Sequence, residues 1–337
     1  MNDKIIIFKN EKIGDLIHSY YAINKIIIKN PNNKIIIYLS HYNYEMNFLF
    51  NHKNVQFKKI NENLNIKDKI NIFFFLIKNE IKKIYIFKPS YFLFLLPFIF
   101  NFKKIKFYGI CINNNNYKRP SDFYRKFLFR YVINDRGTNQ IRTSIHDLHI
   151  NLVNNTNIQN HNFGIIEKSK LNNKKYDKYL FIHFNKNKFN TLGWDTDKLF
   201  IIIDKLKPFF KNIVITNDIH DIETNQILLR KYPKENNIIH YYPNIRGKQF
   251  FDLIGHANYV IAFHGMITAI AAIQNTNVID LFNCDIKSKN DYYKYKNAFH
   301  EFVPRKKGYE FLIPKKNVNI TLNKIIKRIS NGRKINY

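Results

Sequence analysis

Over the first 110 residues two textures alternate. Short β-branched runs, Lys4–Phe8, Lys34–Tyr38, Val55–Ile60, Lys83–Phe87 and Lys104–Tyr108, are separated by longer segments with apolar residues at helical spacing. These intervening segments are Leu16–Lys29, Tyr44–Phe50, Ile70–Ile81 and Tyr91–Phe100. A strand-helix-strand rhythm at this spacing predicts βαβ units and a parallel sheet covered on both faces. Ile5, Ile6 and Ile7 form an unbroken apolar run, as a strand buried on both faces requires.

Between Asn113 and Asn162 the texture changes to Asn-rich, Lys/Arg-bearing stretches, which read as long loops around one short helix. Ser144–Val153 is predicted to be a helix opened by a Ser cap, and NNTNIQNHN after it reads as a linker. The alternation then resumes with Tyr179–His183, Leu199–Leu206, Ile213–Thr216, Ile222–Arg230, Asn237–Tyr241, Gln249–Gly255, Tyr259–Phe263, Thr268–Gln274 and Val278–Phe282. Thr321–Ser330 reads as a closing helix. The pattern therefore predicts an α/β protein of two halves, residues 1–160 and 161–337.

Composition narrows the class. At 337 residues, with 45% hydrophobic and 16% aromatic residues, the chain has ample material for buried cores. Two cysteines, Cys111 and Cys284, make no disulfide framework, and no Cys/His spacing suggests zinc. Lys and Arg number 55 against 25 Asp and Glu, a formal net charge of +30. Only ten of the 55 are Arg, in a chain dominated by Ile, Lys and Asn. The charge thus reads equally as a solvated Lys-rich surface and as attraction to an anionic partner, either nucleic acid or a phosphate-bearing membrane face. No helix-turn-helix, RRM, KH or zinc signature accompanies it, so nucleic acid is the weaker of those partners.

The opening MNDKIIIFKN has neither a long apolar stretch nor a small-residue cleavage site, so a cytoplasmic protein is expected. The most apolar stretch, Tyr91 to Phe102, contains Pro97 and as a helix would reach only ~18 Å across a ~30 Å hydrocarbon core. It reads first as a buried helix and second as an interfacial patch.

Open parallel sheets bind ligands at the carboxyl ends of their strands, which directs attention to the strand-to-helix loops. The first runs Asn10-Glu11-Lys12-Ile13-Gly14-Asp15 and leads on to His18. Gly14 permits a tight turn, and Asp15 stands where a helix begins, so it reads as a cap before it reads as an acid–base group. The second runs Phe263-His264-Gly265-Met266-Ile267-Thr268, between the strand YVIAF and the helix TAIAAI. A Gly loop feeding a helix N-terminus offers backbone N–H groups to an anion such as a diphosphate. There is no G-x-G-x-x-G and no Walker A motif. Asp195-Thr196-Asp197 precedes an apolar-periodic run and fits a helix cap better than a metal–nucleotide motif. Glu223 follows the strand IVIT and reads either as an acceptor for ribose hydroxyls or as a solvated helix-start residue.

These loops, in this order, resemble glycosyltransferase family 9, the lipopolysaccharide heptosyltransferase family. The likeness rests on IIIFKNEKIGDLIHSYYAINKIIIKNP, HDLHINLVNN and FDLIGHANYVIAFHGMITAIAAIQNTNVIDLF. It implies the GT-B fold, two Rossmann-like domains facing a central cleft, with an acceptor-binding N-terminal and a nucleotide-sugar-binding C-terminal domain. It implies inverting sugar transfer without a bound metal or other cofactor. Asp15 matches the family's catalytic carboxylate, with Gly14 and His18 on the acceptor side and His264, Gly265, Met266, Ile267 and Thr268 on the donor side.

The implied donor is a nucleotide sugar, ADP-heptose by default, and the implied acceptor a phosphorylated glycolipid. The basic segment from Lys118 and Arg119 to Arg142 is expected to contact acceptor phosphates, and Tyr91–Phe102 to rest on the anionic inner face of the inner membrane. The donor loop departs from the family's usual Asp-Ser/Thr-Gly, and Ala269 stands where a His is expected. Leu192 and Gly193 precede Trp194 where the family places a phosphate-binding Lys, so Lys186 or Lys188 would have to reach in from an irregular loop. Thr216-Asn217-Asp218 replaces a Gly-rich turn. A catalytically degenerate protein of the same fold, acting as a binding or scaffold protein, is the alternative, with a nucleic-acid binder behind it.

Overall fold

The structure is a computed structural model that describes residues 3–88, 90–113, 121–135, 143–156, 178–218, 221–232, 239–242, 244–282 and 308–333. The described residues up to 156 form one compact unit and those from 178 onward a second. The boundary predicted at residue 160 lies outside the described residues, as do Lys118 and Arg119.

In the N-terminal unit, β1 (Lys4–Lys9), β2 (Lys34–Ser40), β3 (Val55–Ile60), β4 (Ile81–Ile86), β5 (Lys106–Asn113) and β6 (Arg130–Asp135) form one sheet in the order β3-β2-β1-β4-β5-β6. Every pairing is parallel; Ile5, Ile6 and Ile7 lie opposite Ile35, Ile36 and Ile37. The order reverses between β1 and β4, the switch-point arrangement of a Rossmann sheet. Residues Ile5 to Phe8 are wholly buried, which explains the uninterrupted apolar run of this central strand.

The connecting helices are α1 (Ile13–Lys29), α2 (Ile66–Lys78), α3 (Tyr91–Ile99), α4 (Ser121–Arg125) and α5 (Ile145–Asn154), with a 3-10 turn at Tyr44–Phe50. Local chemistry sets their starts. Asn65 caps α2 by accepting from Asp68 N at 2.8 Å, while the Asp68 carboxylate reaches back to the Asn65 N–H. Ser90 accepts from Leu93 N at 3.3 Å and Ser144 from Asp147 N at 3.1 Å.

The expected loop region after Asn113 needs correction: it holds not only the Ser-capped helix but also α4 and the strand β6. β6 lies at the sheet edge, paired on one side only with β5. It alternates buried Val132 and Asn134 with exposed Tyr131 and Ile133.

The C-terminal unit repeats the design. Its strands β7 (Tyr179–Phe184), β8 (Asn212–Asn217), β9 (Ile239–Tyr241), β10 (Tyr259–Phe263), β11 (Asn277–Leu281) and β12 (Tyr309–Leu312) pair in the order β12-β11-β10-β7-β8-β9, all parallel. Here the switch point falls between β7 and β10. The helices are α6 (Lys186–Asn190), α7 (Thr196–Leu206), α8 (Ile222–Lys231), α9 (Gly247–His256), α10 (Met266–Ile273) and α11 (Val318–Arg333). β12 is a second edge strand without a counterpart in the sequence expectations. Asp195 caps α7, accepting from Lys198 N at 3.0 Å, as its position before an apolar run predicts. Trp194 is buried in the core of this unit, and its indole N–H donates to the carbonyls of Lys315 and Lys316 at 3.1 and 2.9 Å.

Candidate functional site

In the C-terminal unit the switch point collects polar groups from three strands. Beyond β7 the chain turns at Asn185, whose side chain accepts from Lys188 N at 2.9 Å and so starts the one-turn helix α6. The irregular loop expected here is therefore a short capped helix. It carries Lys188 across the switch point, where the ammonium donates to the carbonyl of His264, just past β10. His264 in turn presents Nδ1 2.7 Å from Oδ2 of Asp280 on β11, a geometry in which the ring N–H donates to a fully buried carboxylate. Burial pushes the pKa of Lys188 down, and the carboxylates of Asp280 and Asp218 partly offset that shift.

Gly265 follows with φ +154°, a conformation that favours glycine. A Cβ added there would lie 3.4 Å from the Lys188 ammonium. Thr268 ties off this corner: its hydroxyl accepts from Gly265 N at 3.1 Å and donates to Gly265 O at 3.0 Å. No side chain of the preceding residue caps α10, and the first-turn N–H groups of an α-helix have no acceptor within the helix. A half-buried cation thus stands beside a helix start with spare N–H donors, the combination that receives phosphate oxygens.

The two lysines named from the sequence differ in setting. Lys186 is exposed and pairs with Glu223 at 2.7 Å and Asp221 at 3.8 Å. The Glu223 hydrogen bond raises the pKa of Lys186, and the same bond lowers that of Glu223. Glu223 lies in the first turn of α8, which Asp221 caps by accepting from Thr224 N at 3.2 Å. Its side chain is 75% exposed. At the end of β8, Thr216 Oγ1 lies 2.9 Å from His183 Nδ1, and Asp218 Oδ1 lies 3.6 Å from His183 Nε2.

In the N-terminal unit the loop after β1 is held from both sides. The Asn10 amide donates to the carbonyls of Asn61 and Glu62 at 3.1 and 2.9 Å, and Asn43 donates to the carbonyl of Lys9 at 2.8 Å. The buried Lys9 ammonium pairs with Glu11. The residue preceding α1 is Lys12, so Asp15 sits inside the first turn and does not cap the helix. Its carboxylate, partly exposed, has no hydrogen-bonding or ionic partner among the described residues. A carboxylate without a partner is open to a hydroxyl brought up to it. Gly14 precedes it in the same turn.

His18 lies one turn further on and is largely buried. Its Nδ1 is 3.0 Å from His146 Nε2 on α5, with the two rings nearly perpendicular. His149, fully buried on the same helix, donates from Nδ1 to the carbonyl of His18 at 3.1 Å. Its pKa is pushed well below the ordinary histidine value by burial first, then by the Lys9 charge.

The sequence reading passed over Asp280 and His146. Asp280 carried a legible signal, a lone acid inside the apolar strand NVIDL. His146 carried a weaker one, the spacing of His146 and His149 on a helix that packs against α1. No group of three or more His, Cys, Asp or Glu among the described residues has the arrangement of a metal site.

No family model matches the sequence, and no curated protein matches it. Solved structures do match in shape. The glycosyltransferase family 9 protein of Veillonella parvula superposes with a TM-score of 0.62 at 12% identity, covering 96% of this chain and 89% of that one. The E. coli heptosyltransferase WaaC, solved with ADP, gives 0.66 at 11% identity over 97% of this chain and 99% of that one. A UDP-N-acetylglucosamine 2-epimerase from Listeria monocytogenes, described as putative, gives 0.59 at 8% identity over 99% and 89%. The resemblance to glycosyltransferase family 9 read in the sequence is matched by structural similarity along nearly the whole chain. That similarity gives the fold, the two Rossmann-like units of GT-B.

Proposed function

We propose that this protein is an inverting glycosyltransferase that uses a nucleotide-sugar donor. The carrying observation is the corner at the C-terminal switch point, where the half-buried Lys188 ammonium meets the start of α10 across Gly265. It suits a diphosphate, the group that WaaC's ligand ADP also carries. On this reading Lys188, the backbone of His264, Gly265, Met266 and Ile267, and Thr268 hold the donor diphosphate. Glu223, steadied by Lys186, accepts hydrogen bonds from the ribose.

Asp15 acts as the general base. It takes the proton from an acceptor hydroxyl as that oxygen attacks the sugar C1 and the nucleoside diphosphate leaves, which inverts the anomeric centre. The charge developing on the leaving diphosphate is met by Lys188 and the α10 amides, so the step calls for no metal ion. Gly14 lets the acceptor approach the α1 backbone, and His18, held by His146, shapes the same side. Lys118 and Arg119 bind acceptor phosphates. A heptose donor with ADP as its carrier and a phosphorylated lipopolysaccharide-core-like acceptor complete the proposal, in a protein working at the cytoplasmic side of a membrane.

The departures Phe263 and Ala269 favour one second reading, a GT-B protein that binds nucleotide sugars without turning them over. Thermal unfolding with ADP-, UDP-, GDP- and CMP-sugars tests donor binding. Saturation at a hundred times the dissociation constant should stabilise the protein by ~2.7 kcal/mol. Turnover of the stabilising donor, lost by about 10²–10⁴-fold in Asp15→Asn with the fold intact, supports the transferase. Stabilisation without turnover supports the second reading, and no stabilisation by any donor overturns both.

A further inference from the structure

Asp280 is the only acid in β11, set in the apolar run NVIDL and wholly buried. A carboxylate in such a place is costly unless its charge is met. Two residues of the donor corner meet it. Its Oδ2 accepts the ring N–H of His264 at 2.7 Å, and its charge favours the ammonium of Lys188 against the burial that opposes it. In the register of β10 with β11 the acid stands opposite Ala262, two residues before His264. It therefore approaches the loop that leads into α10 from the neighbouring strand.

His264 is the residue that these contacts fix. Its ring is held by Asp280, its carbonyl by the Lys188 ammonium, and its N–H by the carbonyl of Leu281 at 3.0 Å. Gly265 follows at φ +154° and turns the chain into α10. The start of α10 is thus anchored, through His264, from β11 and from α6 together.

The surroundings of Lys188 make Asp280 its principal counter-ion. Asp218, past β8, also favours the ammonium, but its side chain is 41% exposed and lies 3.6 Å from Nε2 of His183. Water screens an exposed charge far more than a buried one. Lys186, on the same short helix, is engaged with Glu223 and Asp221 at the start of α8.

We propose that Asp280 is a positioning residue of the donor corner, a buried counter-ion that secures the charge of Lys188 and, through His264, the start of α10. The inference rests on the reading of that corner as the diphosphate site and adds to it a residue that touches no substrate. An anion beside a diphosphate is itself repulsive, so Asp280 contributes only through the two groups that it holds.

The test compares wild type with Asp280→Asn and Asp280→Val. Asparagine still accepts the His264 N–H and lacks the charge; valine lacks both. Trace acetylation with acetic anhydride, read by mass spectrometry on the Lys188 peptide, follows the ammonium across pH without any ligand. Removing the charge lets burial act on Lys188 with less opposition. The half-labelling point should therefore move to lower pH in Asp280→Asn, and further than in Asp218→Asn. Titration of ADP, UDP and GDP reads the consequence for binding. Near neutral pH Asp280→Asn should bind at least as tightly as wild type, since an anion is gone and the ring is still held. Between about pH 7 and pH 10 its affinity should begin to fall at lower pH than that of wild type. Asp280→Val should bind about tenfold more weakly than Asp280→Asn near neutral pH, because His264 is released.

A lower Tm in the variants with an unmoved labelling point is what a merely structural acid would give, and it overturns the inference. An unaltered pH dependence of binding in Asp280→Asn overturns it equally. Equal affinities in Asp280→Asn and Asp280→Val overturn the part played through His264. Asp280→Asn, nearly unchanged in shape, carries the test if valine unfolds the protein. If wild type binds none of the three diphosphates, the transferase reading falls, while the labelling point still decides the counter-ion role.

Discussion

Replacing Lys188 by Met probes the donor site where the structure is most explicit. Among the described residues the ammonium hydrogen-bonds to the carbonyl of His264, and an ammonium has three N–H donors to give. A diphosphate at the α10 start would take one of the others as a charge-assisted hydrogen bond, worth ~1.5–3 kcal/mol, or roughly ten- to a hundredfold in affinity. Stability should respond much less. The substitution leaves the His264 carbonyl without its donor, a loss of about 1 kcal/mol, but it also removes the cost of a partly desolvated charge, visible as the lowered pKa of Lys188. These two effects oppose each other, so Tm should move by only a few degrees.

Calorimetric titration of ADP, UDP, GDP and CMP into both proteins measures the affinity. The pH dependence follows from the same shift. Burial lowers the pKa of Lys188, so the proton leaves before the ordinary lysine range is reached. Wild-type affinity should therefore hold near neutral pH and weaken on the alkaline side starting below that range, and Lys188→Met should lack this decline. Unchanged affinity in Lys188→Met would refute the reasoning. A larger loss in Lys186→Met than in Lys188→Met would move the phosphate contact to the exposed lysine.

Glu223→Gln should weaken nucleoside diphosphates several-fold and leave inorganic pyrophosphate unaffected; equal losses for both would remove Glu223 from the ribose. His149 is buried with its pKa well below the ordinary value, so below about pH 6.5 the unfolded chain binds a proton that the folded chain refuses. Stability should then fall with acidity by up to ~1.4 kcal/mol per pH unit from this residue alone. His149→Leu should flatten the slope of urea midpoints between neutral pH and the onset of acid unfolding, and identical slopes would count against the assignment. A Cβ at Gly255 would clash with Oε1 of Gln274, while Gln274 Nε2 donates to the buried carbonyl of Phe251 at 2.8 Å. Gly255→Ala should therefore destabilise by about 1–3 kcal/mol, and adding Gln274→Ala should recover part of that in denaturant melts.

Much of this molecule was legible along the chain. The bounds of β3 and β10 coincide with the runs Val55–Ile60 and Tyr259–Phe263, and Ser144 and Asp195 cap the helices they were expected to open. These features depend on neighbours a few residues away, so periodicity and cap chemistry report them directly. The edge strands β6 and β12 were missed because their conformation depends on pairing with β5 and β11. Arg130–Asp135 is a short run beside Asn-rich sequence, and nothing within it announces a distant strand with unpaired N–H and C=O groups.

The candidate site divides in the same way. Asp15, Lys188 and His264 could be named from their places after strands, but whether Asp15 capped a helix depended on where α1 begins, which is two residues before it, at Ile13. The meeting of Lys188 with His264, 76 residues apart in the chain, follows from β10 lying beside β7 across a strand-order reversal. The role of Asp280 as holder of His264 follows from β11 lying on the far side of β10. For α3, composition allowed burial or an interface, and the folded unit buries Leu93, Phe94 and Leu96 while leaving Tyr91, Phe98 and Ile99 exposed. Alternation and end chemistry are local, so the sequence alone determined the elements and their order. Sheet order, edge pairing and the convergence of distant charges minimise the free energy of the whole packed unit, and only the tertiary structure could decide them.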